Sequence, residues 1–283
     1  MNIAIVGAGT VGTAVAVRWM RAGHAIVAVT GRDTTAARAA RWLPEVAFEE
    51  IAEAVRGAQV VAVAVPDRAI EPVATEVADR IEIGTVVAHL SGALGLGVLG
   101  PVVEAGGIPL AIHPLQTFAD VEGAIDSLEG SAIAVTADDD AGWRVGDDLA
   151  ADLGGRPFHL ADAHRAVYHA AAVFASNYLV TISGAAETLF EVAGVPDPLA
   201  AMRPLQEATL ANVHRLGPRH ALTGPAVRGD AETIERNLTA ISAAAPTLVP
   251  SYVALCRAAL EVAGERIAPA DRAGVEEVLA RWR

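Results

Sequence analysis

The chain has 283 residues, of which 53% are hydrophobic and 19% charged, a composition typical of a globular protein large enough for two domains. Its formal net charge of −13 argues against nucleic acid or an anionic membrane surface as the main partner. All 21 basic residues are arginine, so mechanisms that need a lysine are excluded. No apolar run is long enough to span a bilayer, and the single Cys256 suits a reducing compartment, so we expect a cytoplasmic protein.

Short β-branched runs alternate with amphipathic stretches in the first half, which predicts a parallel sheet covered by helices on both faces. The expected strands are Asn2–Val6, Ala25–Thr30, Val60–Val65, Thr85–His89, Pro109–His113, Ser131–Thr136 and Arg156–Leu160. Helices are expected between them, among others at Val11–Ala22, Phe48–Arg56 and Asp138–Leu153.

After Asp162 the sequence is rich in alanine and shows no further strand pattern. The stretch from Ala163 to Ala193 predicts one long helix of about thirty residues. Further helices are expected at Leu199–Leu216, Ala231–Ala244, Pro250–Gly264 and Pro269–Arg281. We therefore predict an α/β fold with a doubly wound Rossmann domain over residues 1–160 and an all-α substrate and dimerisation domain over residues 161–283.

Gly7, Gly9 and Gly12 form a G-x-G-x-x-G motif directly after the first strand and at the start of the first helix. Such glycines allow a tight turn, a close approach to a pyrophosphate and close packing of helix on strand, and the helix N-terminus attracts the anion. The motif predicts a dinucleotide cofactor held by residues Gly7, Ala8, Gly9, Thr10, Val11 and Gly12.

The end of the second strand indicates which cofactor is bound. An NAD site usually has an acidic residue here, whereas this chain has Thr30, Gly31 and Arg32, and an arginine can pair with a 2′-phosphate. NADP(H) is therefore favoured over NAD(H). The preference weakens or reverses if Asp33 faces the ribose, and Arg32 and Asp33 could also form a solvated turn.

Several other strand ends carry candidate site residues, because ligands of doubly wound sheets bind at the carboxyl edge. Val65 and Pro66 are expected to border the nicotinamide, although a structural turn explains the proline equally well. Ser91 could hydrogen-bond a carboxylate or carbonyl of the substrate. His113 and His89 could face one cleft, but local hydrogen bonds that close the loops are the alternative, and for His89 we favour it.

The predicted long helix places His169, Val173 and Asn177 on one stripe, with Tyr168 beside it. Without lysine, an imidazolium is the natural proton donor near neutral pH, so we rank His169 first and His113 second as the catalytic acid. Asn177 could orient the substrate oxygen, and Tyr168 could bind substrate. These histidines could instead be structural, and the absence of a typical ligand motif predicts no metal site.

The segment Ala221–Asp230 is a polar island between two predicted helices. Arg228 could clamp a substrate carboxylate there. The alternative, compatible with the first, is a helix connection in which Asp230 caps the next helix.

The segments GAGTVG, HLSG, HPLQTF, YHAAAVFASNYL and ALTGPAVRGD together resemble Rossmann-like proteins with a DUF2520 domain, of the 6-phosphogluconate dehydrogenase-like superfamily. The resemblance covers nearly the whole chain. It implies an N-terminal NAD(P) domain and a helical C-terminal domain that usually builds a dimer. Most members are described as predicted NADP oxidoreductases, and some are similar to an alternative ketopantoate reductase.

Within that superfamily, ketopantoate reductases and β-hydroxyacid dehydrogenases carry a lysine one turn before an asparagine. Asn177 matches the asparagine, but Val173 stands at the lysine position, so their mechanism does not transfer directly. Prephenate dehydrogenases use a histidine and have a His-Pro similar to His113-Pro114, but their arginine-rich substrate site is not evident here.

Three functions remain open at this point. The first is an NADP-dependent reductase of a small 2-keto acid, ketopantoate-like. The second is an NAD(P)-dependent dehydrogenase of another acid, prephenate-like, or of an imine, and the third is a non-catalytic cofactor-binding sensor. We expect a small-molecule substrate and a homodimer, because the second half is apolar on many faces.

Overall fold

The computed structural model describes residues 1–282. Within them, eight strands form one sheet in the order β3-β2-β1-β4-β5-β6-β7-β8. The strands are β1 Asn2–Val6, β2 Ala25–Thr30, β3 Ala47–Phe48, β4 Val60–Val63, β5 Val86–His89, β6 Ile108–Pro114, β7 Ala132–Ala137 and β8 Arg156–His159. The predicted α/β fold with a doubly wound sheet is confirmed.

The strand registers bring the carboxyl ends of the central strands to one edge of the sheet. Val6 at the end of β1 pairs with Thr30 of β2 on one side and with Val63 of β4 on the other. Val63 in turn pairs with His89 at the end of β5. His89 pairs with Ala111, so His113 lies two residues further along β6 at the same edge.

Two expectations about this region were wrong. The sheet is not wholly parallel, because β7 runs antiparallel to β6. The helix expected at Phe48–Arg56 is shorter, since Phe48 belongs to the edge strand β3 and only Ile51–Ala54 is α-helical. Phe48 pairs with Val29 of β2, and this tertiary pairing overrides the local helical pattern.

The helices expected at Val11–Ala22, Leu199–Leu216, Ala231–Ala244, Pro250–Gly264 and Pro269–Arg281 lie within one residue of their observed bounds. Fourteen α-helices occur within residues 1–282. They are α1 Thr10–Arg21, α2 Asp33–Trp42, α3 Ile51–Ala54, α4 Ile70–Ala78, α5 Gly100–Glu104, α6 Val121–Ser127, α7 Asp140–Asp152, α8 Arg165–Ala175, α9 Asn177–Val192, α10 Pro198–Leu216, α11 Pro218–Ala221, α12 Ala231–Ala244, α13 Val249–Ala263 and α14 Pro269–Arg281.

The single long helix expected over residues 163–193 is instead two helices, α8 and α9. Ser176 separates them with φ −124° and ψ −68°, outside the helical range, although its N–H still bonds the carbonyl of Ala172 at 3.0 Å. Serine is a weaker helix former than the surrounding alanines because its hydroxyl competes for backbone partners. The break means that the spacing of His169 and Asn177 no longer places them on one face.

The sheet is packed on both faces, as the apolar strands predict. Successive residues of β1 enter different clusters: Ile3 and Ile5 belong to one core with α1, α6 and α7. Ala4 and Val6 belong to the other, with α4 and α5. Burial on both faces explains why these strands are apolar throughout rather than alternating.

The chain divides into two compact units, residues 1–177 and residues 178–283. The first unit contains the sheet and extends past residue 160 to include α8. The second is helical, with its own core around Ile234, Leu238 and Leu260. The functional boundary predicted between residues 160 and 161 stays a prediction. Within residues 1–282, no helix combines the length and apolar character that crossing a membrane requires.

Candidate active site

The first glycine turn is tied to the end of β2. The N–H groups of Gly7 and Ala8 both donate to the carbonyl of Thr30, at 3.0 and 2.8 Å. Gly7 has φ +113°, a conformation that residues with a Cβ rarely adopt, and a Cβ there would lie 2.4 Å from the Ala64 oxygen. At Gly12 a Cβ would lie 2.1 Å from the Gly7 oxygen, so both positions require glycine for packing.

Gly9 has different surroundings, and they fit a bound dinucleotide. A Cβ at Gly9 would meet no protein atom within 4 Å, so this glycine is open on the side where a ligand would approach. Gly9 is the N-cap of α1, and no side chain caps the helix. The first N–H groups of α1, at Thr10, Val11 and Gly12, are thus free of a side-chain cap and suited to binding a diphosphate.

Two arginines lie beside this turn. Arg32 is exposed at the N-cap of α2. Arg38, which the sequence analysis did not single out, donates from Nη1 to the Ala8 carbonyl at 3.3 Å. The signal for Arg38 is its place on α2, the helix that directly follows the second strand and therefore starts beside the glycine turn. Gly31 packs closely against α2 and the turn, since a Cβ there would lie 2.3 Å from Thr35 Oγ1 and 3.3 Å from the Ala8 nitrogen.

The remaining residues predicted to bind cofactor have mixed environments. Thr30 is 5% exposed, and its carbonyl holds the glycine turn, so contact of its hydroxyl with a ribose stays a prediction. Val65 packs against the turn, because its Cγ1 would be 3.1 Å from a Cβ on Gly7. Pro66 is exposed and its carbonyl accepts from the N–H of Ala69 at 2.7 Å, which fits the structural turn as well as a border of the cofactor.

The loop after β5 is closed by its own polar groups. His89 is fully buried: its Nδ1 accepts from the N–H of Ser91 at 3.2 Å, and its Nε2 lies 3.2 Å from the Gly95 carbonyl. Since a carbonyl can only accept, Nε2 carries the hydrogen and the ring is neutral. Burial, and then the charge of Arg165, lowers the pKa of His89 to about 4. Local hydrogen bonding, the favoured interpretation, is what the structure shows for His89.

Ser91 takes part in the same loop. Its Oγ accepts from the N–H groups of Ala93 and Leu94, each at 3.2 Å, and the residue is 7% exposed. The hydroxyl therefore stabilises a turn. A catalytic contact between Ser91 and substrate stays a prediction, and only the hydroxyl hydrogen is left to make it.

His113 and Tyr168 form a hydrogen-bonded pair. Nδ1 of His113 lies 2.9 Å from the Tyr168 hydroxyl, and the rings meet edge to face. Burial, followed by the charges of Arg165 and His169, lowers the pKa of His113 to about 4. Burial raises the pKa of Tyr168 to about 12. At neutral pH the histidine is therefore uncharged and the phenol protonated, so His113 lacks the imidazolium form expected of a proton donor.

His169 lies next to this pair. Its ring centroid is 6.3 Å from that of His113. Its Nδ1 is buried and makes no hydrogen bond to the residues described. A buried nitrogen without a protein partner is costly unless a ligand or water satisfies it. Of the side chains predicted to be catalytic, the structure thus brings together His113 and His169, and Tyr168, also on α8, is hydrogen-bonded to His113.

A buried arginine beneath these residues was missed by the sequence analysis. Arg165 is 1% exposed and donates from Nη1 to Thr136 Oγ1 at 2.8 Å. It also donates to the carbonyls of Ser91 and Leu94. Its spacing in the sequence was a signal for it. Arg165 precedes Tyr168 by three residues and His169 by four, so all three lie on one face of a helix.

Two further predicted residues lie away from this cluster in the chain. Asn177 begins α9, after the break at Ser176. Arg228 belongs to the second unit, is 63% exposed at its side chain and lies 3.9 Å from the Asp230 carboxylate. Asp230 caps α12 by accepting from the N–H of Thr233 at 3.0 Å, so the predicted cap is confirmed. Substrate contacts by Asn177 and Arg228 stay predictions.

Two domain families match the chain. A Rossmann-like domain matches residues 1–114, and the Domain of unknown function DUF2520 matches residues 131–259. The chain thus contains a Rossmann-like domain followed by a DUF2520 domain. No curated protein matches it.

Solved structures of similar fold cover almost the whole chain. A Bacteroides fragilis protein assigned as an NADP oxidoreductase is 25% identical, with a TM-score of 0.79 over 92% of this chain and 98% of its own. A Thermotoga maritima protein is 23% identical, with a TM-score of 0.69 over 93% and 98%. An imine reductase from Myxococcus stipitatus in complex with NADP+ is 14% identical, with a TM-score of 0.67 over 100% and 99%.

The polar cluster combines residues of both matched domains. His113 comes from the Rossmann-like segment, whereas Arg165, Tyr168 and His169 come from the DUF2520 segment. The DUF2520 match begins before β7, so this segment also supplies the last two strands of the sheet. The DUF2520 segment thus contributes to the candidate active site from within the first compact unit.

Proposed function

We propose that this protein is an NAD(P)-dependent oxidoreductase. The observation that carries the proposal is the presence of two complementary features at one edge of the sheet. One is the open glycine turn at Gly9, and the other is the cluster of His113, Tyr168 and His169. A protein that only sensed a dinucleotide would need the first feature but not the second.

NADP(H) is the proposed cofactor in preference to NAD(H). The Arg38 guanidinium contacts the glycine turn, Arg32 is exposed just after the end of β2, and β2 ends in Thr30 rather than in an acidic residue. Guanidinium groups match the geometry and charge of a phosphate. The carboxylate nearest in sequence, Asp33, lies in the first turn of α2 and is exposed.

A small 2-keto acid, ketopantoate-like, is the first substrate candidate. The bound cofactor supplies a hydride, and the alkoxide that develops on the substrate needs a proton. His169 is the proposed donor, because its ring reaches the cluster and its Nδ1 is unsatisfied within the described structure. The Tyr168 hydroxyl, held against His113, is proposed to position the substrate oxygen.

An imine is the second candidate, and the neutral state of His113 favours it. An iminium substrate arrives already protonated and yields a neutral amine, so its reduction requires no acid from the protein. The chain has no lysine, and the pKa values of about 4 and about 12 leave His113 and Tyr168 poor proton donors at neutral pH. The imine reductase with this fold over its full length adds support.

The test is oxidation of NADPH and NADH, followed by absorbance, against ketopantoate, other 2-keto acids, prephenate-type acids and cyclic imines. We expect turnover with NADPH, and a His169→Ala variant is expected to lose roughly 100-fold or more in kcat on a keto acid. His164→Ala is the matched control, since His164 is an exposed histidine just before the same helix.

Turnover of imines alone would select the second candidate, and there His169→Ala should have little effect on kcat. Tight binding of NADPH without turnover on the whole panel would contradict enzymatic activity and favour a sensor. Equal losses for His169→Ala and His164→Ala would contradict the donor assignment.

A further inference from the structure

Arg165 is a buried cation whose resolved hydrogen bonds all go to neutral acceptors. The side chain is 1% exposed, and its acceptors are two backbone carbonyls and the Thr136 hydroxyl. Within residues 1–282, no ion pair within 4.0 Å joins it to a carboxylate. Burying a charge without an ionic partner costs free energy that an apolar side chain would not. The three hydrogen bonds and the more distant charges of Asp162 and Asp67 offset this cost.

The guanidinium joins the two elements that form the candidate site. Arg165, Tyr168 and His169 stand at i, i+3 and i+4 of α8 and share one face. Arg165 binds the carbonyls of Ser91 and Leu94, in the loop that follows β5. Asp162 adds a second link, since its Oδ1 accepts from the N–H of Leu96 at 2.7 Å.

The same loop sets the place of the His113 ring. A Cβ on Gly92 would lie 2.6 Å from His113 Nε2, so the ring packs directly against the backbone at Gly92. Arg165 fixes the carbonyl of the preceding residue, Ser91. Arg165 thus anchors both partners of the His113–Tyr168 hydrogen bond. It holds the loop against which the His113 ring packs, and it lies on the same helix as Tyr168.

The charge of Arg165 acts on the groups around it. Burial is the larger cause of the lowered pKa values of His113 and His89, and the positive charge of Arg165 lowers both pKa values further. It favours the charged form of Tyr168, although burial outweighs it. The negative charges of Asp162 and Asp67 stabilise the guanidinium from a distance. His169 also lowers the pKa of His113.

We propose that Arg165 is a positioning residue that acts through His113: it fixes the His113–Tyr168 pair, keeps His113 uncharged, and gives the site a preference for anionic substrates. An uncharged His113 with its proton on Nδ1 donates to the Tyr168 oxygen, which leaves the phenolic hydrogen free to bind a substrate oxygen. The preference follows because a buried positive charge attracts a substrate carboxylate through a medium of low dielectric constant. This last part rests on the proposed oxidoreductase function, whereas the first two do not.

The first test uses the full-length protein without cofactor. Ring nitrogens of 15N-labelled histidines are followed by NMR from pH 3.5 to 8, and His113 is identified from a His113→Asn spectrum. In Arg165→Met we expect the midpoint of His113 to rise by about 1 pH unit or more, because a nearby positive charge has been removed. Arg165→Lys keeps the positive charge, so its His113 midpoint should stay close to that of the wild type.

Arg18→Met is the matched control for loss of an arginine. Arg18 also bonds a backbone carbonyl, that of Leu153 at 2.8 Å, and its side chain is 17% exposed, but it lies on α1. It should leave the His113 midpoint unchanged. An unchanged midpoint in folded Arg165→Met would overturn the proposal. Should that variant not fold, Arg165→Gln, which is neutral but still a hydrogen-bond donor, gives the same readout.

The second test compares a carboxylic acid substrate with its primary amide. The wild type should prefer the acid in kcat/KM by about tenfold or more, which corresponds to about 1.4 kcal/mol. Arg165→Met should lose the preference, Arg165→Lys should retain it, and affinity for NADPH should stay unchanged in both. Retained preference in Arg165→Met would overturn the substrate part. If the wild type turned over no substrate, the proposed function would fail, while the NMR test would still decide the positioning role.

Discussion

At the scale of single residues, the glycines of the first turn separate cofactor binding from folding. Gly9 has φ −72°, which alanine can adopt, and its missing Cβ faces open space. Gly9→Ala should therefore fold normally but bind NADPH at least about tenfold more weakly, measured by fluorescence titration. Gly12→Ala should instead lower the free energy of unfolding by roughly 1–3 kcal/mol, because its Cβ meets the Gly7 oxygen. Unchanged NADPH affinity in Gly9→Ala would contradict the pyrophosphate site.

Gly92 tests the placement of His113. The Cβ of Gly92→Ala would lie 2.6 Å from Nε2 and must displace the ring, which breaks the contact with Tyr168. A displacement of about 1 Å is expected to lower kcat by roughly 100-fold, with NADPH affinity unchanged. Gly97→Ala is the control, since a Cβ there meets no atom within 4 Å. Equal activity of the two variants would show that His113 takes no part in the reaction.

The sequence predicts some residues of the site better than others. Gly7, Gly9 and Gly12 follow from a motif whose spacing is set by backbone geometry, so their places could be predicted. Arg165 is harder to predict: its spacing places it on the helix face of Tyr168 and His169, but an arginine near a helix start normally faces solvent. Its burial depends on Ser91 and the loop after β5, which lie more than seventy positions earlier in the chain.

At the scale of elements, the loop that follows β5 should make stability depend on pH. Buried His89 has a folded-state pKa near 4, below the usual 6.5, so the unfolded chain binds more protons between these values. The contribution of neutral His89 to the stability of the folded state is fully present above pH 6.5 and is lost as the pH falls towards 4. His113 adds to the effect in the same direction.

Between pH 6.5 and pH 4 and below, titration of His89 should lower the free energy of unfolding by on the order of 3 kcal/mol, because a pKa difference of one unit corresponds to about 1.4 kcal/mol. Urea unfolding followed by circular dichroism at several pH values measures it. His89→Gln keeps a donor and an acceptor but does not titrate, so its slope between pH 4 and 6.5 should be smaller. A slope equal to that of the wild type would contradict the buried neutral ring.

Elements with a strong local pattern are predicted well, and those set by distant partners are not. The strand Asn2–Val6 and the helices Ala231–Ala244 and Pro269–Arg281 match the expected bounds. The direction of β7 is not encoded locally, since the same apolar run fits either orientation beside β6. The break at Ser176 is likewise invisible, because a single serine does not interrupt the helical pattern.

At the scale of the whole molecule, the second unit leaves large apolar side chains in contact with solvent. Val180 of α9 is 71% exposed and Leu205 of α10 is 64% exposed, and Leu199 and Val192 are both more than half exposed. The two helices are neighbours, since Gln206 donates to Ser183 Oγ at 2.9 Å. Several large exposed apolar side chains on neighbouring helices are typical of a protein–protein interface.

We therefore expect a homodimer, in which a second copy covers the apolar surface of α9 and α10. Sedimentation equilibrium at micromolar concentration should give twice the chain mass of 29.1 kDa. Leu205→Glu places a charge in the proposed interface and should shift the equilibrium to monomer without loss of the folded circular dichroism signal. Ile83→Glu is the control, because Ile83 is 89% exposed but lies in the first unit, between α4 and β5. A wild type that sediments as a monomer, or a Leu205→Glu variant as dimeric as Ile83→Glu, would contradict this interface.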